Sequence, residues 1–318
     1  MDENQKLEIN EITADLLKVV SRIPGEEDLD FTKVAYNIRQ DSGCAGRAST
    51  KNIKILPKSD KSGIDVRIAP GTAGEKVYIP ACITKSGVED LAYNDFYIGE
   101  GADVVIIAGC GVHTDGHGDS THNGIHRFFV EKNARVVYLE KHIGQGASQE
   151  KKNINPVTEI FAQEGSYIEM DTTQIGGVDY TERVTRGTLA AGAKMVVREK
   201  IMTEGEQVAK TDFDIELKEE GTGVDLISRS VAKGNSVQTF RSTIRGLGAC
   251  TGHSECDAII MDNARVEALP ALVAGHVDAS LIHEAAIGKI AGEQLIKLMT
   301  LGLTEEEAVQ KIIDGFLK

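Results

Sequence analysis

Cys250, His253, Glu255, Cys256 and Asp257 fall within eight positions of the stretch GACTGHSECDAIIMDNARVEALPAL, residues 248–272. Thiolate, imidazole and carboxylate are the donors that zinc and iron accept, and thiolates above all suit iron–sulfur clusters. Downstream, His283 and Glu284 add an imidazole and a carboxylate, with Glu284 lying 28 positions beyond Cys256. A mixed set of Cys256, His283 and Glu284 would hold an iron–sulfur cluster less firmly than four thiolates do, which suits delivery. A plainer reading competes for each residue. A lone cysteine is most often core filler, and a His-Glu pair before a helix is most often a cap or surface pair.

A second group occurs in GCGVHTDGHGDSTHNGIH, residues 109–126, where Cys110, His113, His117, His122 and His126 accompany Asp115 and Asp119. A metal held there could activate water for hydrolysis. His113 and His117 would face one way only on a helix, and Gly116, Gly118 and Asp119 oppose a helix, so polar corners or an interface compete with the metal reading. The glycines miss the GxGxxG spacing, and GxxxxGK[ST] is absent, so neither a dinucleotide site nor a P-loop is expected.

Chain-wide properties limit the classes further. Among 318 residues, 49 acidic side chains outnumber 35 basic ones, for a net charge of -14. Nucleic-acid and anionic-membrane surfaces need dense positive charge, so neither is expected as a partner. The N-terminus is acidic where a signal peptide needs positive charge, and no apolar run approaches the roughly 18 residues of a membrane span. Five cysteines with no CxxC pair do not form the framework of a small secreted domain. Reduced thiols and a cytoplasmic location are expected.

The elements that must position these residues show two periodicities. Leu7, Ile12, Leu16, Leu17 and Val20 follow helical spacing until Pro24-Gly25, and a second, weak helix is read over 28–39. From about residue 52 the pattern changes to period two. In VAKTDFDIEL, Ala209, Thr211, Phe213, Ile215 and Leu217 share one face, and Lys210, Asp212, Asp214 and Glu216 share the other. Similar segments open at 133, 165, 192, 223 and 263, separated by 32, 27, 31 and 40 positions. About thirty residues per repeat fits the coil of a parallel β-helix, with a large antiparallel sandwich as the rival. Residues 281–301 carry a helical stripe of Ile287, Ile290, Leu295, Leu298 and Met299. A last helix follows, with Thr304 as N-cap and Glu307 in the capping-box position.

SECDAIIMDNARVEALP, followed by HVDASLIHEAAIGKIAGEQLIKLMTLGLTEEEAVQKIIDGFLK, resembles the C-terminal signature of the SufB/SufD family of iron–sulfur assembly proteins. The similarity is greatest to short SufB-like scaffolds of minimal systems, the SmsB type. The resemblance implies a mainly β protein whose core is a right-handed parallel β-helix flanked by helices. The expected divisions are an N-terminal helical region over 1–50, the β-helix over 51–280 and a C-terminal helical region over 281–318. It implies an assembly scaffold rather than an enzyme, with ATP hydrolysis supplied by a SufC-type ABC ATPase docked on the C-terminal region. A transient iron–sulfur cluster, a sulfur donor, apo-protein acceptors and a homodimer are implied as well. The family's cysteine and glutamate fall on Cys256 and Glu284, with His283 between them in the motif. Ile282 replaces the family's first acidic residue there. Residues 111–249 lack the cysteine credited with accepting sulfur in longer members, which leaves Cys82, Cys110, Cys250 or direct delivery to Cys256 open.

Overall fold

The computed structural model describes residues 4–22, 31, 33–147 and 149–318. A first helix, α1 (Glu11–Val20), precedes β1 (Ala35–Gln40), β2 (Gly43–Ala48), β3 (Ile53–Pro57), β4 (Gly63–Ile68) and β5 (Ala73–Ile83). Next come β6 (Glu89–Ile98), β7 (Asp103–His113), β8 (Ser120–Val130), β9 (Arg135–Gln145), β10 (Lys152–Ile154) and β11 (Val157–Ala162). The regular part continues with β12 (Tyr167–Ile175), β13 (Tyr180–Leu189), β14 (Lys194–Thr203), β15 (Val208–Leu217), β16 (Gly223–Ala232) and β17 (Val237–Gly246). It closes with β18 (Thr251–Ile260), β19 (Arg265–Ala274) and β20 (Ser280–Gly288), before α2 (Gly292–Thr300) and α3 (Glu305–Phe316).

From β5 onward the chain alternates between two sheets, and strands stack in parallel within each. One sheet runs β5-β7-β9-β12-β14-β16-β18-β20, and the facing sheet ends β13-β15-β17-β19. This is a β-solenoid. The parallel ladders exclude the antiparallel sandwich. Arg135, Tyr167, Lys194, Gly223, Thr251 and Ser280 occupy one register position, so successive coils take 32, 27, 29, 28 and 29 residues. The 40-residue step to 263 in the sequence pattern is a change of sheet, because the segment at 263 is β19.

Alternation fills the interior. Phe96 and Phe128 stack at 4.6 Å, Tyr138 meets Phe128 edge-on at 5.0 Å, and Phe213 and Ile215 continue the apolar filling farther along. Where coils turn tightly, backbones touch. A Cβ on Gly144 would lie 1.8 Å from the Gly177 carbonyl oxygen, so only glycine fits there.

Leu16, Leu17 and Val20 of α1 pack on Tyr36, Ile38, Tyr78 and Ile107. At the other end, Ile313 and Leu317 cover Val231, beside Met202 and Ile259, three positions in register on the outside of one sheet. Thr304 and Glu307 form the reciprocal capping box at the start of α3.

Two element readings are corrected. Residues 35–39, read as part of a helix over 28–39, belong to β1, because Ala35 joins the solenoid core while Tyr36 and Ile38 pack under α1. Residues 28–30 and 32, together with Pro24-Gly25, lie outside the described residues. At the C-terminal end, 280–288 is strand and the helix begins at Gly292. Leu281, His283, Ala285 and Ile287 alternate at period two, and pairing with β18 selects that period over the overlapping helical stripe.

Candidate functional site

Cys256 lies at the middle of β18, between Ser228 of β16 and Ala285 of β20. Its side chain points inward and is 1% exposed. Burial, followed by the nearby Glu199 and Asp257 charges, pushes its thiol up to about 12. At neutral pH it is therefore a thiol rather than the thiolate that binds iron.

Register explains what surrounds it. Glu140, Thr172, Glu199, Ser228 and Cys256 occupy the same inward position on β9, β12, β14, β16 and β18. A polar column thus runs inside the solenoid and ends at the cysteine. Arg183 reaches in from the facing sheet, bonding Glu140 at 2.6 Å and lying 3.3 Å from Glu199. Glu199 also accepts from Thr211 at 2.8 Å and Ser228 at 2.9 Å. Burial raises the Glu199 carboxyl above its ordinary range despite these donors. For Glu140, burial acts the same way but is outweighed by His142 and Arg183, which hold its carboxyl well below that range.

His283 points inward as well, opposite Ser254, and its buried Nδ1 has no hydrogen-bond partner among the described residues. It is a diagonal neighbour of Cys256 on the inner face, with Cα atoms roughly 8 Å apart given strand spacing and rise. Glu284 is on the other side. It sits opposite Glu255, and the two face outward with His253. A 28-residue separation suggests neighbours, but this coil takes 29, and one residue of register moves a side chain to the opposite face. The structure brings Cys256 and His283 onto one face and does not bring Cys256 and Glu284 together. Both His283 and Glu284 lie within β20, not directly before a helix, and Cys256 lies inside β18.

On the outer face, His253 Nδ1 is 2.7 Å from Asp225 and Nε2 is 3.0 Å from Glu284. Burial pulls the His253 pKa down, but the two carboxylates outweigh it and the net shift is upward. Burial and then the neighbouring Asp257 raise Glu255. His253, Glu255 and Glu284 offer ligand atoms within 4.8 Å of one another. His253 and Glu255 stand two apart on a strand, a signal the sequence carries, but their link to Glu284 needs the register.

The 109–126 group is divided. Cys110 is buried in the core beside Ala81 and Ile83. His113 ends β7 and bonds Asp115 at 2.6 Å, while His117 is fully exposed, 3.7 Å from Glu150. His122 faces inward and bonds Asp90 at 2.9 Å, a carboxylate also held by Arg39. His126 is buried beside Phe96 and Tyr138, and burial lowers its pKa to about 4. Cys110, His122, His126, Glu140 and His142 border a cavity of about 40 Å³, room for very little beyond water. No three of the 110–126 ligand residues converge among the described residues, so nothing in their placement favours a hydrolytic metal centre. Cys82, Cys110 and Cys250, the alternative sulfur acceptors, are all buried.

The last coil is open. Among the described residues each of β19 and β20 pairs on one side only, and Leu269, Leu272, Val273, Val277, Ile282 and Ile287 are exposed around that end. Cys256 is one strand behind this edge. Helix α2 buries none of its residues, leaving Ile296 and Met299 at the surface.

The family model for the SUF system FeS cluster assembly SufBD core domain matches residues 87–316. An iron-sulfur cluster assembly SufBD family protein of Archaeoglobus fulgidus is 29% identical over 269 residues, 83% of this chain and 70% of its own length. Its counterpart in Methanothermobacter thermautotrophicus strain Delta H is 27% identical over 271 residues, 82% of this chain and 63% of its own. A SufBD family protein of Methanocaldococcus jannaschii is 30% identical over 200 residues, 61% of each chain. The chain spans between 61 and 70% of the length of these three relatives.

Proposed function

The chain belongs to the SufBD family of the SUF iron–sulfur cluster assembly system, and on that premise we propose that it is a scaffold on which a nascent cluster is built and passed to apo-proteins. The observation that carries this reading is the position of Cys256, one strand inside the uncovered edge β20 and at the end of the polar column. A purely structural solenoid has no need of a cysteine there, and Cys256 stays a protonated, inert thiol until the edge strand opens and lets it ionise. A labile cargo needs such a position, because sulfur and iron must be shielded from water and then released.

In this reading Cys256 supplies the thiolate and His283 an imidazole on the inner face. Glu284 contributes from the outer face of the same edge strand. One chain offers a single thiolate there, so a second copy covering the apolar open end, related by a twofold axis, would double the ligands. Leu269, Val273 and Ile282 give that contact its hydrophobic surface. A SufC-type ATPase docks on α2 and α3, and its ATP-driven closure shifts the last coil and uncovers Cys256. Sulfur comes from a separate donor. The five free cysteines fit a reducing, cytoplasmic setting.

The test is co-purification with the candidate ATPase, followed by anaerobic reconstitution of the wild-type chain with ferrous iron and sulfide. A labile iron–sulfur chromophore that can be transferred to an apo-ferredoxin is the expected result. Normal ATPase binding with no iron–sulfur species under any reducing condition would reduce the chain to a structural partner.

A further inference from the structure

We propose that the outer face of the last two coils carries a divalent transition-metal site formed by His253, Glu255 and Glu284, separate from the inward-facing Cys256. Its identification as a ferrous-iron site rests on the scaffold reading above; its existence does not. The three side chains belong to one face of an adjacent strand pair, with Glu284 directly opposite Glu255 and His253 two residues along. The sheet therefore fixes their origins before any metal arrives.

Donor geometry fits a shared ion. His253 Nε2 and a Glu284 oxygen are 3.0 Å apart, and two adjacent ligands at about 2.1 Å from one octahedral ion stand roughly 3.0 Å from each other. Asp225 holds the opposite ring nitrogen at 2.7 Å. With Nδ1–H donating to that carboxylate, the Nε2 lone pair is directed at Glu284, the arrangement by which carboxylates orient metal-binding histidines. Charge favours a cation as well. Asp225 and Glu284 flank His253, while Asp257 and the Arg229 guanidinium neighbour Glu255, so carboxylates outnumber the one nearby fixed cation. Nitrogen and oxygen donors without sulfur suit ferrous iron, manganese, cobalt and zinc rather than a cluster. Three protein ligands, one of them the 66% exposed Glu284, leave coordination positions open for exchange.

The competing arrangement is an imidazolium tying Asp225 to Glu284 with no metal. Chelator-stripped full-length protein, titrated anaerobically with cobalt(II) and then ferrous iron, separates the two. One equivalent of cobalt is expected per chain, with a ligand-field spectrum that lacks thiolate charge transfer. Affinity should fall at least tenfold in His253→Gln and in Glu284→Gln, and by about 10–100-fold in Asp225→Asn. Thermal unfolding is recorded for each variant, and Glu255→Gln supplies an independent ligand deletion. Absence of stoichiometric binding by the wild type, a thiolate charge-transfer band, or affinity unchanged by these substitutions would overturn the site. Cluster reconstitution runs in parallel on the same protein. Metal bound here without any cluster forming sinks the scaffold reading and keeps the site; cluster formation without this binding does the reverse.

Discussion

Cys256 and Glu284 stand on neighbouring strands of one sheet but on opposite faces, because Cys256 is opposite Ala285 and Glu284 is opposite Glu255. A cluster that engaged both from one chain would need β20 to slip or peel. Inner and outer faces of the last coil are therefore separate chemical environments, a buried thiol with the His283 imidazole inside and a His-Glu-Glu group outside.

This register can be read by oxidation. The double variant Glu255→Cys/Glu284→Cys should form a disulfide readily, since paired positions on adjacent strands fall within the Cα range that a disulfide spans. Glu284→Cys alone should not bridge to Cys256 in the isolated chain. Peptide mapping under non-reducing conditions checks both, and a Cys256–284 bridge in the resting protein would refute the facing described here.

The charged interior makes a stability prediction. Arg183 is buried between Glu140 and Glu199, so Arg183→Met leaves two carboxyls without their cation and should cost about 3–5 kcal/mol in urea unfolding. Adding Glu140→Gln should recover part of that loss, because a neutral amide is cheaper to bury than an unpaired charge. A loss below about 1 kcal/mol in the single variant would mean that water reaches the column.

His126 predicts a pH dependence of known sign. Burial holds its folded pKa near 4, against 6.5 for the free side chain. Between those values the unfolded chain binds a proton that the folded chain refuses, so stability is complete above pH 6.5 and declines as pH falls toward 4. The loss is about 3 kcal/mol, taking 1.36 kcal/mol per pH unit. His126→Phe, which keeps a ring beside Phe96 and Tyr138, should flatten that part of the profile in urea melts. Parallel wild-type and variant profiles would show that His126 charges freely in the folded state.

Much of the solenoid was legible because alternation is local. VAKTDFDIEL became β15 with Ala209, Thr211, Phe213, Ile215 and Leu217 inward and buried. The last strand was not legible as strand, since Leu281 to Ile287 satisfies both periods and only the ladder with β18 decides between them. Cys256, His283 and Glu284 were visible as residue types, but the choice of face depends on whether a coil takes 28 or 29 residues, and corner length sets that. The buried Glu140–Arg183 pair escaped for the same reason. Its partners are 43 positions apart, and a lone charge in a strand reads as solvent-facing until its counterpart is known.

Anaerobic reconstitution of Cys256→Ser beside Cys44→Ser, with bound iron and acid-labile sulfide counted per chain, tests the central claim most directly. Cys44, half-buried at the far end of the solenoid from Cys256, should be dispensable. The account predicts that Cys256→Ser loses most of its cluster while Cys44→Ser loads like the wild type. Equal loading by both variants would contradict it.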